Sequence, residues 1–449
     1  MTASLSTFQR VLLGIILLEI PLRLDVHLGY HETEAAYGAL GGWNISVTTI
    51  CLGVLYAGWL IRAALGKTRD ASWWVRGIVP GVVYLGVVAL SVVVAQSPLF
   101  AMFELFLILQ AFLIFLYLFR WVRSTGDVRF VVSLLMIGLA LESICMLGLY
   151  AVGHSVQIAG VFARLDVGSR VGGTIGSPNE AASYLTLMLP VALGVILANW
   201  SRRSRVLAIA GFALGVAALI TTQSRGGWIG FVAAVSLFLA AALVRRRISI
   251  AIPAAVCTMA AVAAFAFQGV IVARLTAYDR GAAYSRVTLM EVAMQVIEEA
   301  PILGSGANNF VVAMQPYSQS SDHRGAFMYV VHNRHLQVWA ETGLVGLAAW
   351  LVFLFTSLAR GWRAWRADDP FLAPLALATV AGIAGETLHM TVEVFGGRSQ
   401  MQMLWVLAAL AAVFYRNSAC RVSDPHLNRL GTGFATAHKG SLVGTAEAS

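Results

Sequence analysis

The sequence is short of charge. Only 12% of its 449 residues are Asp, Glu, Lys or Arg, while 59% are hydrophobic. That balance excludes an ordinary soluble domain of this length. Lysine is nearly missing. Lys67 and Lys439 are the only two, so arginine carries the basic surplus of 31 over 22. There are four cysteines, Cys51, Cys145, Cys257 and Cys420, and three lie in apolar runs. Neither a disulfide framework nor a thiolate metal site is expected from their spacing. The first apolar run lacks a small-residue cleavage site after it, so it reads as a retained span. No repeat of fixed period is visible.

What the chain does have is apolar runs long enough to cross a bilayer, which takes about 20 residues in a helix. Lipid offers backbone polar groups no partner, so such runs must be helical. We expect an all-α polytopic membrane protein of about twelve spans. They lie near 9–24, 43–62, 78–96, 99–120, 129–152, 180–200, 205–222, 227–244, 248–271, 336–359, 371–394 and 399–416. The expected organisation is 1–271 for spans one to nine, 272–335 for a large outer helical segment, 336–417 for spans ten to twelve and 418–449 for a disordered tail.

Orientation follows from the short loops. With the N-terminus in the cytoplasm, five loops on that side hold Arg62, Lys67, Arg69, Arg76, Arg120, Arg123, Arg129, Arg202, Arg203, Arg205, Arg245, Arg246, Arg247, Arg360, Arg363 and Arg366. The acids beside them are Asp70, Asp127, Asp368 and Asp369. This is the positive-inside bias, and it accounts for the net charge without nucleic acid. The outer face then carries Arg23, Arg164, Arg170, Arg225, Arg274, Arg280, Arg286, Arg324, Arg334 and Arg398. These run against the insertion bias. Each needs an acidic partner or an anionic ligand.

Several of these arginines sit in short patterned stretches. Ser224-Arg225-Gly226-Gly227 joins two spans in a tight turn, although interfacial arginine also simply reaches for lipid phosphate. In Arg170-Val-Gly-Gly-Thr-Ile-Gly-Ser-Pro-Asn-Glu180, Ser177 suits an N-cap, Pro178 the first helical position, and Glu180 a reciprocal capping box. Ordinary capping explains that stretch, but a helix start beside Arg170 also attracts anions. Val287, Met290, Met294 and Ile297 predict an amphipathic helix over 286–299 with Arg286 in its first turn. Asp279 or an anionic ligand could offset that cation. Leu303-Gly304-Ser305-Gly306 reads as a turn rather than a phosphate loop. In Val331-His332-Asn333-Arg334-His335 the two imidazoles are one turn apart, without H-E-x-x-H or acidic ligands at metal spacing, so no metal is expected. A neutral histidine there could take a proton. Glu386, His389 and Glu393 share a helix face by spacing. Pairing with Arg398 is their plain role, and Glu104 and Glu142 could pair likewise.

Arginines, a helix N-terminus and histidine gathered at one membrane face suit a lipid-linked diphosphate. Guanidinium binds phosphate oxygens through several donors. A leaving diphosphate gains charge that fixed cations stabilise.

These stretches resemble the O-antigen ligase and polymerase superfamily of bacterial membrane glycosyltransferases. The resembling elements are 170–179, Gln223-Ser-Arg-Gly226, Arg286, Ala300-Pro-Ile-Leu-Gly-Ser-Gly-Ala-Asn-Asn-Phe310, His332-Asn333 and Glu341-Thr-Gly-Leu-Val-Gly346. The resemblance implies a GT-C-type helical fold in the bacterial inner membrane and an undecaprenyl-diphosphate-linked glycan donor on the periplasmic face. It further implies a hydroxyl acceptor, lipid A-core in ligases or another lipid-linked glycan in polymerases. Transfer would need no cofactor and would invert the anomeric centre. By motif, Arg225 and Arg286 would bind the diphosphate and His332 would activate the hydroxyl. Arg170, Asn179, Ser224, Asn333, His335 and His389 would line the substrate. The Arg334-His335 pair departs from the more neutral pair expected there, which leaves His335 open as the base. A protein O-glycosylating ligase remains a related alternative. The rival of another class is a transporter or flippase with a path through Glu142, Glu386 and His389, though such sites usually lie at the midplane between repeats.

Overall fold

The computed structural model describes residues 5–66, 74–158, 160–277, 282–318, 328–367 and 369–422. The protein is a multi-pass membrane protein, 75% helical. The chain opens with α1 (Thr7–Leu22), then a hairpin of β1 (Asp25–Leu28) and β2 (Trp43–Ser46) with α2 (Glu32–Ala36) between them. Next come α3 (Val47–Ala64), α4 (Trp74–Val94), α5 (Pro98–Trp121) and α6 (Thr125–Val152). A three-stranded antiparallel sheet follows, β3 (Val156–Ile158), β4 (Val161–Asp166) and β5 (Arg170–Gly173). Then come α7 (Pro178–Leu197), α8 (Arg202–Thr221), α9 (Arg225–Val244), α10 (Ala251–Ala266) and α11 (Gln268–Thr276), followed by a segment between spans. That segment contains α12 (Ala282–Glu299), α13 (Phe310–Ala313) and α14 (Gln315–Ser318). The chain returns through α15 (Arg334–Arg366), α16 (Leu372–His389) and α17 (Arg398–Val422).

Among the described residues, nine helices are long and apolar enough to cross a membrane, or ten if α10 and α11, bent by 75°, form one span. A helix covers most of each of the twelve expected runs, although the run at 43–62 begins with β2 and that at 371–394 outlasts α16. The count falls short because α1 has only 16 residues and α17 is rich in polar side chains. The fold is also not purely helical. Both small sheets lie in loops; four of their five strands have only 3 or 4 residues, too short for alternation to show in the sequence, and the six of β4 open with three apolar residues in a row. The helix α17 takes in residues 418–422 of the expected tail, and 423–449, with Asp279, Arg280 and Arg324, lie outside the described residues.

The helices α7 and α16 sit at the centre, with most of each enclosed by neighbours. Close approach explains the glycines of α9. A Cβ on Gly230 would lie 2.8 Å from the Gly385 carbonyl oxygen, and one on Gly227 2.6 Å from the Ala182 methyl. So α9 packs almost backbone to backbone against α16 and α7. Nearer α17, Trp405 stacks on Phe353 at 4.2 Å and meets Phe115 edge-on.

The segment between α11 and α15 has its own small core. Leu289, Val292, Val296 and Ile297 of α12 pack with Phe310, Met314 and Val331. This corrects the expected stripe. Val287 and Met294 point outward, and Arg286 lies a full turn inside a helix that begins at Ala282. Apolar residues line two faces of this helix, and the face with the β-branched and leucine side chains docks.

A kink in α15 ties this segment down. Gly343 has a φ of 67°, which only glycine adopts cheaply, so the helix breaks there. The freed carbonyls of Ala340 and Glu341 accept from the amides of Ser305 and Gly306 at 3.0 and 2.8 Å. Leu344 N donates to the Pro301 carbonyl at 2.9 Å. The glycine turn of 303–306 is therefore the partner of the helix break. Asn308 then bonds the backbone N–H and carbonyl of Leu40, and Asn309 those of Ser97.

Candidate active site

The loops between α1 and β1, β5 and α7, α8 and α9, α12 and α15, and α16 and α17 meet at one end of the bundle. The arginines expected on the outer face sort there by partner. Arg398 is buried and makes two 2.8 Å bonds to the Glu19 carboxylate. Arg334 is buried against Glu104 at 2.8 Å. Arg23 donates to the Ile175 carbonyl at 2.8 Å and to Glu180 at 3.3 Å, and Arg164 pairs with Asp166. These four are held by the fold itself. Glu180 thus serves Arg23, and only half of the expected capping box forms: Ser177 accepts from the Glu180 amide. Glu142 goes to Thr174, not to an arginine, accepting from both its amide and hydroxyl.

The remaining arginines gather around the α8–α9 turn and Glu393. Arg170 donates to Asn179 Oδ1 at 2.7 Å and to the Thr222 carbonyl at 3.2 Å. Arg274, at the end of α11, donates to the neighbouring Gln223 carbonyl at 2.9 Å. Gln223 itself reaches the Gly168 carbonyl at 2.9 Å. Arg225 follows directly as the first residue of α9, capped by Ser224, whose hydroxyl accepts from the Gly227 amide. Burial, reinforced by the like charges of Arg274 and Arg286, lowers the pKa of Arg170, and Glu393 and Asp166 oppose that shift. This is an electropositive patch that an anion would relieve.

Glu393 links the patch to the histidine. Its Oε2 lies 3.9 Å from Arg286 Nη2 and its Oε1 4.0 Å from His332 Nε2. Both distances are too long for hydrogen bonds and leave room for adjustment when a substrate arrives. His332 is partly buried, and Tyr329 packs on its ring at 5.8 Å. Burial lowers its pKa below 6.5, Glu393 pulls the other way, and Arg286 adds to the lowering. A neutral imidazole beside a carboxylate has the make-up of a general base.

His335 is placed differently. Trp350 Nε1 donates to its Nδ1 at 3.3 Å, and its Nε2 faces the Thr387 carbonyl at 3.2 Å. Both nitrogens are engaged, which assigns the neutral Nε2–H tautomer. Asn333 caps α15, its Oδ1 accepting from the Leu336 amide at 3.1 Å. His389 is buried behind Gly226, with Nδ1 3.4 Å from Glu386. Glu386 also accepts from Ser183. Glu393 lies beyond the end of α16, so it does not share a helix face with Glu386 and His389, and it is not the partner of Arg398.

The structure therefore brings Arg170, Asn179, Ser224, Arg225, Arg286 and His332 to one region. It sets Asn333, His335 and His389 in hydrogen-bonding roles behind it. Two residues were missed as members of the site, Glu393 and Arg274. The signal for both was position, an ionisable side chain in the last turn of a helix for Arg274 and just past a helix end for Glu393. Among the described residues no group of three or more His, Cys, Asp or Glu side chains could hold a metal ion.

No curated protein matches the chain. Residues 210–351 match the family described as O-antigen ligase, a stretch that contains Arg225, Arg286 and His332. Members of that family are glycosyltransferase-like membrane enzymes. Over that third of its length the chain is similar to the O-antigen ligase family.

Proposed function

We propose that the protein is an O-antigen ligase-like glycosyltransferase, moving a glycan from an undecaprenyl-diphosphate donor to a hydroxyl of lipid A-core on the periplasmic face. The observation that carries this reading is Glu393, which faces the Arg286 guanidinium with one oxygen and the His332 imidazole with the other. The acceptor oxygen attacks the anomeric carbon and its proton passes to His332 Nε2. The bond from that carbon to the diphosphate breaks, and its electron pair leaves on the phosphate oxygen. Arg225, Arg286 and Arg170 take up the charge that develops there. Glu393 stabilises the imidazolium formed. Attack opposite the leaving group inverts the anomeric centre, and the residues acting need no metal.

The transporter alternative requires Glu142, Glu386 and His389 along one path. Glu142 is instead occupied by Thr174, while Glu386 bonds Ser183 beside His389.

The test is reconstitution of the purified protein with a lipid-linked oligosaccharide, offering lipid A-core or a second donor molecule as acceptor. Arg225→Ala is expected to slow transfer about 10²- to 10³-fold. His332→Ala is expected to slow it about 10²- to 10⁴-fold while donor binding persists. EDTA is expected to leave the rate unchanged. Wild-type levels of product from either variant would refute the reading.

A further inference from the structure

A cavity of about 280 Å³ opens at the same end of the bundle. It lies under the β1–β2 hairpin, with α5 and the first turn of α15 as walls. Tyr329 lines it while packing against His332, and Val394, next to Glu393, lines it too.

Two properties define what fits. The first is charge. Its three guanidinium groups each face a carboxylate, Arg23 with Glu180, Arg334 with Glu104 and Arg398 with Glu19. Paired cations leave little field for a phosphate, unlike the patch around Arg170. The second is hydrogen-bonding capacity. Gln337 Oε1 and Asn44 Oδ1 are enclosed acceptors without a partner, and Arg334 Nε is an enclosed donor without one. Gln337 and Arg334 are only 6% and 2% exposed. Enclosed polar atoms are costly to leave unbonded. A hydroxyl answers both kinds, since one oxygen donates and accepts. The exposed ring of Tyr30 adds an aromatic face suited to the apolar side of a sugar ring.

We infer that this cavity seats an uncharged, hydroxyl-rich saccharide of the glycan acceptor. The inference rests on the glycosyl-transfer reading for its direction. The incoming hydroxyl and the departing diphosphate occupy opposite sides of the anomeric carbon. Arg286 lies on one side of Glu393, and His332 with Tyr329 on the other, toward the cavity.

The experiment has two arms. In the first, saturation-transfer NMR follows uncharged hexose and N-acetylhexosamine oligosaccharides on the full-length protein in detergent. Wild type and Arg225→Ala show ring-proton contacts, and Gln337→Met binds about tenfold more weakly, the worth of one hydrogen bond. Asn44→Ala, on the hairpin, repeats the measurement should Gln337→Met fold poorly. No contacts in wild type, or equal binding by both variants, would overturn the site. In the second arm, Gln337→Met raises the acceptor KM and leaves the donor KM unchanged. A raised donor KM would instead place the donor glycan in the cavity and overturn the assignment. Binding without transfer by wild type would sink the enzymatic reading and leave the saccharide site standing.

Discussion

Glu393 uses its two oxygens for different neighbours, and pH separates their effects. An imidazole acts as a base only when neutral, so the rate falls as pH drops through its pKa. Burial holds that of His332 below 6.5, while the Glu393 charge favours the cation and limits the drop. Glu393→Gln removes that charge and lowers the pKa further. The acid limb of the pH–rate profile is then expected to move to lower pH, with the plateau reduced by about tenfold or more. A limb that stays in place would remove His332 as the titrating group. His335 gives the contrast. With Trp350 and Thr387 on its two nitrogens, His335→Ala is expected to cost stability in a thermal unfolding scan and to leave the limb where it is.

At the scale of elements, the glycines of α9 are the sharpest test of packing. On Gly230, a methyl would press into the Gly385 carbonyl and the His389 Cβ. Gly230→Ala is expected to lower stability by about 1–3 kcal/mol and to displace the helix that begins with Arg225. Gly58→Ala, on α3 with nothing within 4 Å, serves as the control and is expected to be neutral or slightly stabilising. Equal unfolding temperatures in detergent for the two variants would contradict the close packing. The spans were legible because a run of apolar residues has no other use at that length. The cap of α7 and the break at Gly343 were legible for a similar reason, as Ser-Pro and Thr-Gly allow few backbone choices. The docked face of α12 was not, since two stripes compete and only the partners Phe310 and Met314 decide between them. The roles of Asn308 and Asn309 were hidden as well. Their partners Leu40 and Ser97 are over two hundred residues away. Arg225 and Arg286 could be named from a short motif, whereas Glu393 became visible only when the end of α16 was placed beside α12.

At the scale of the molecule, first and last helices are joined by charge. Glu19 on α1 accepts both bonds from Arg398 at the start of α17, as well as the Thr48 hydroxyl from α3. Asp25 Oδ2 also lies 3.3 Å from Arg398 Nε, so losing the Glu19 charge leaves the guanidinium one carboxylate and weakens two charge-assisted bonds, at a cost of about 1.5–3 kcal/mol. Glu19→Gln is therefore expected to lower the unfolding temperature and the folded yield from membranes. Substituting an exposed pair such as Arg164 with Asp166 is expected to change little. Comparable loss from both would argue that Glu19 and Arg398 do not hold the ends together.

The asparagine hub has a temporal meaning. Asn308 reaches back 268 positions to Leu40 and 208 to Phe100, so the hairpin and the start of α5 wait for most of translation before their fastener exists. The polar chamber beneath that hairpin cannot close on a nascent chain. A ribosome-bound intermediate halted before residue 300 would present it half built, and two fragments divided there would each lack the other's clasp.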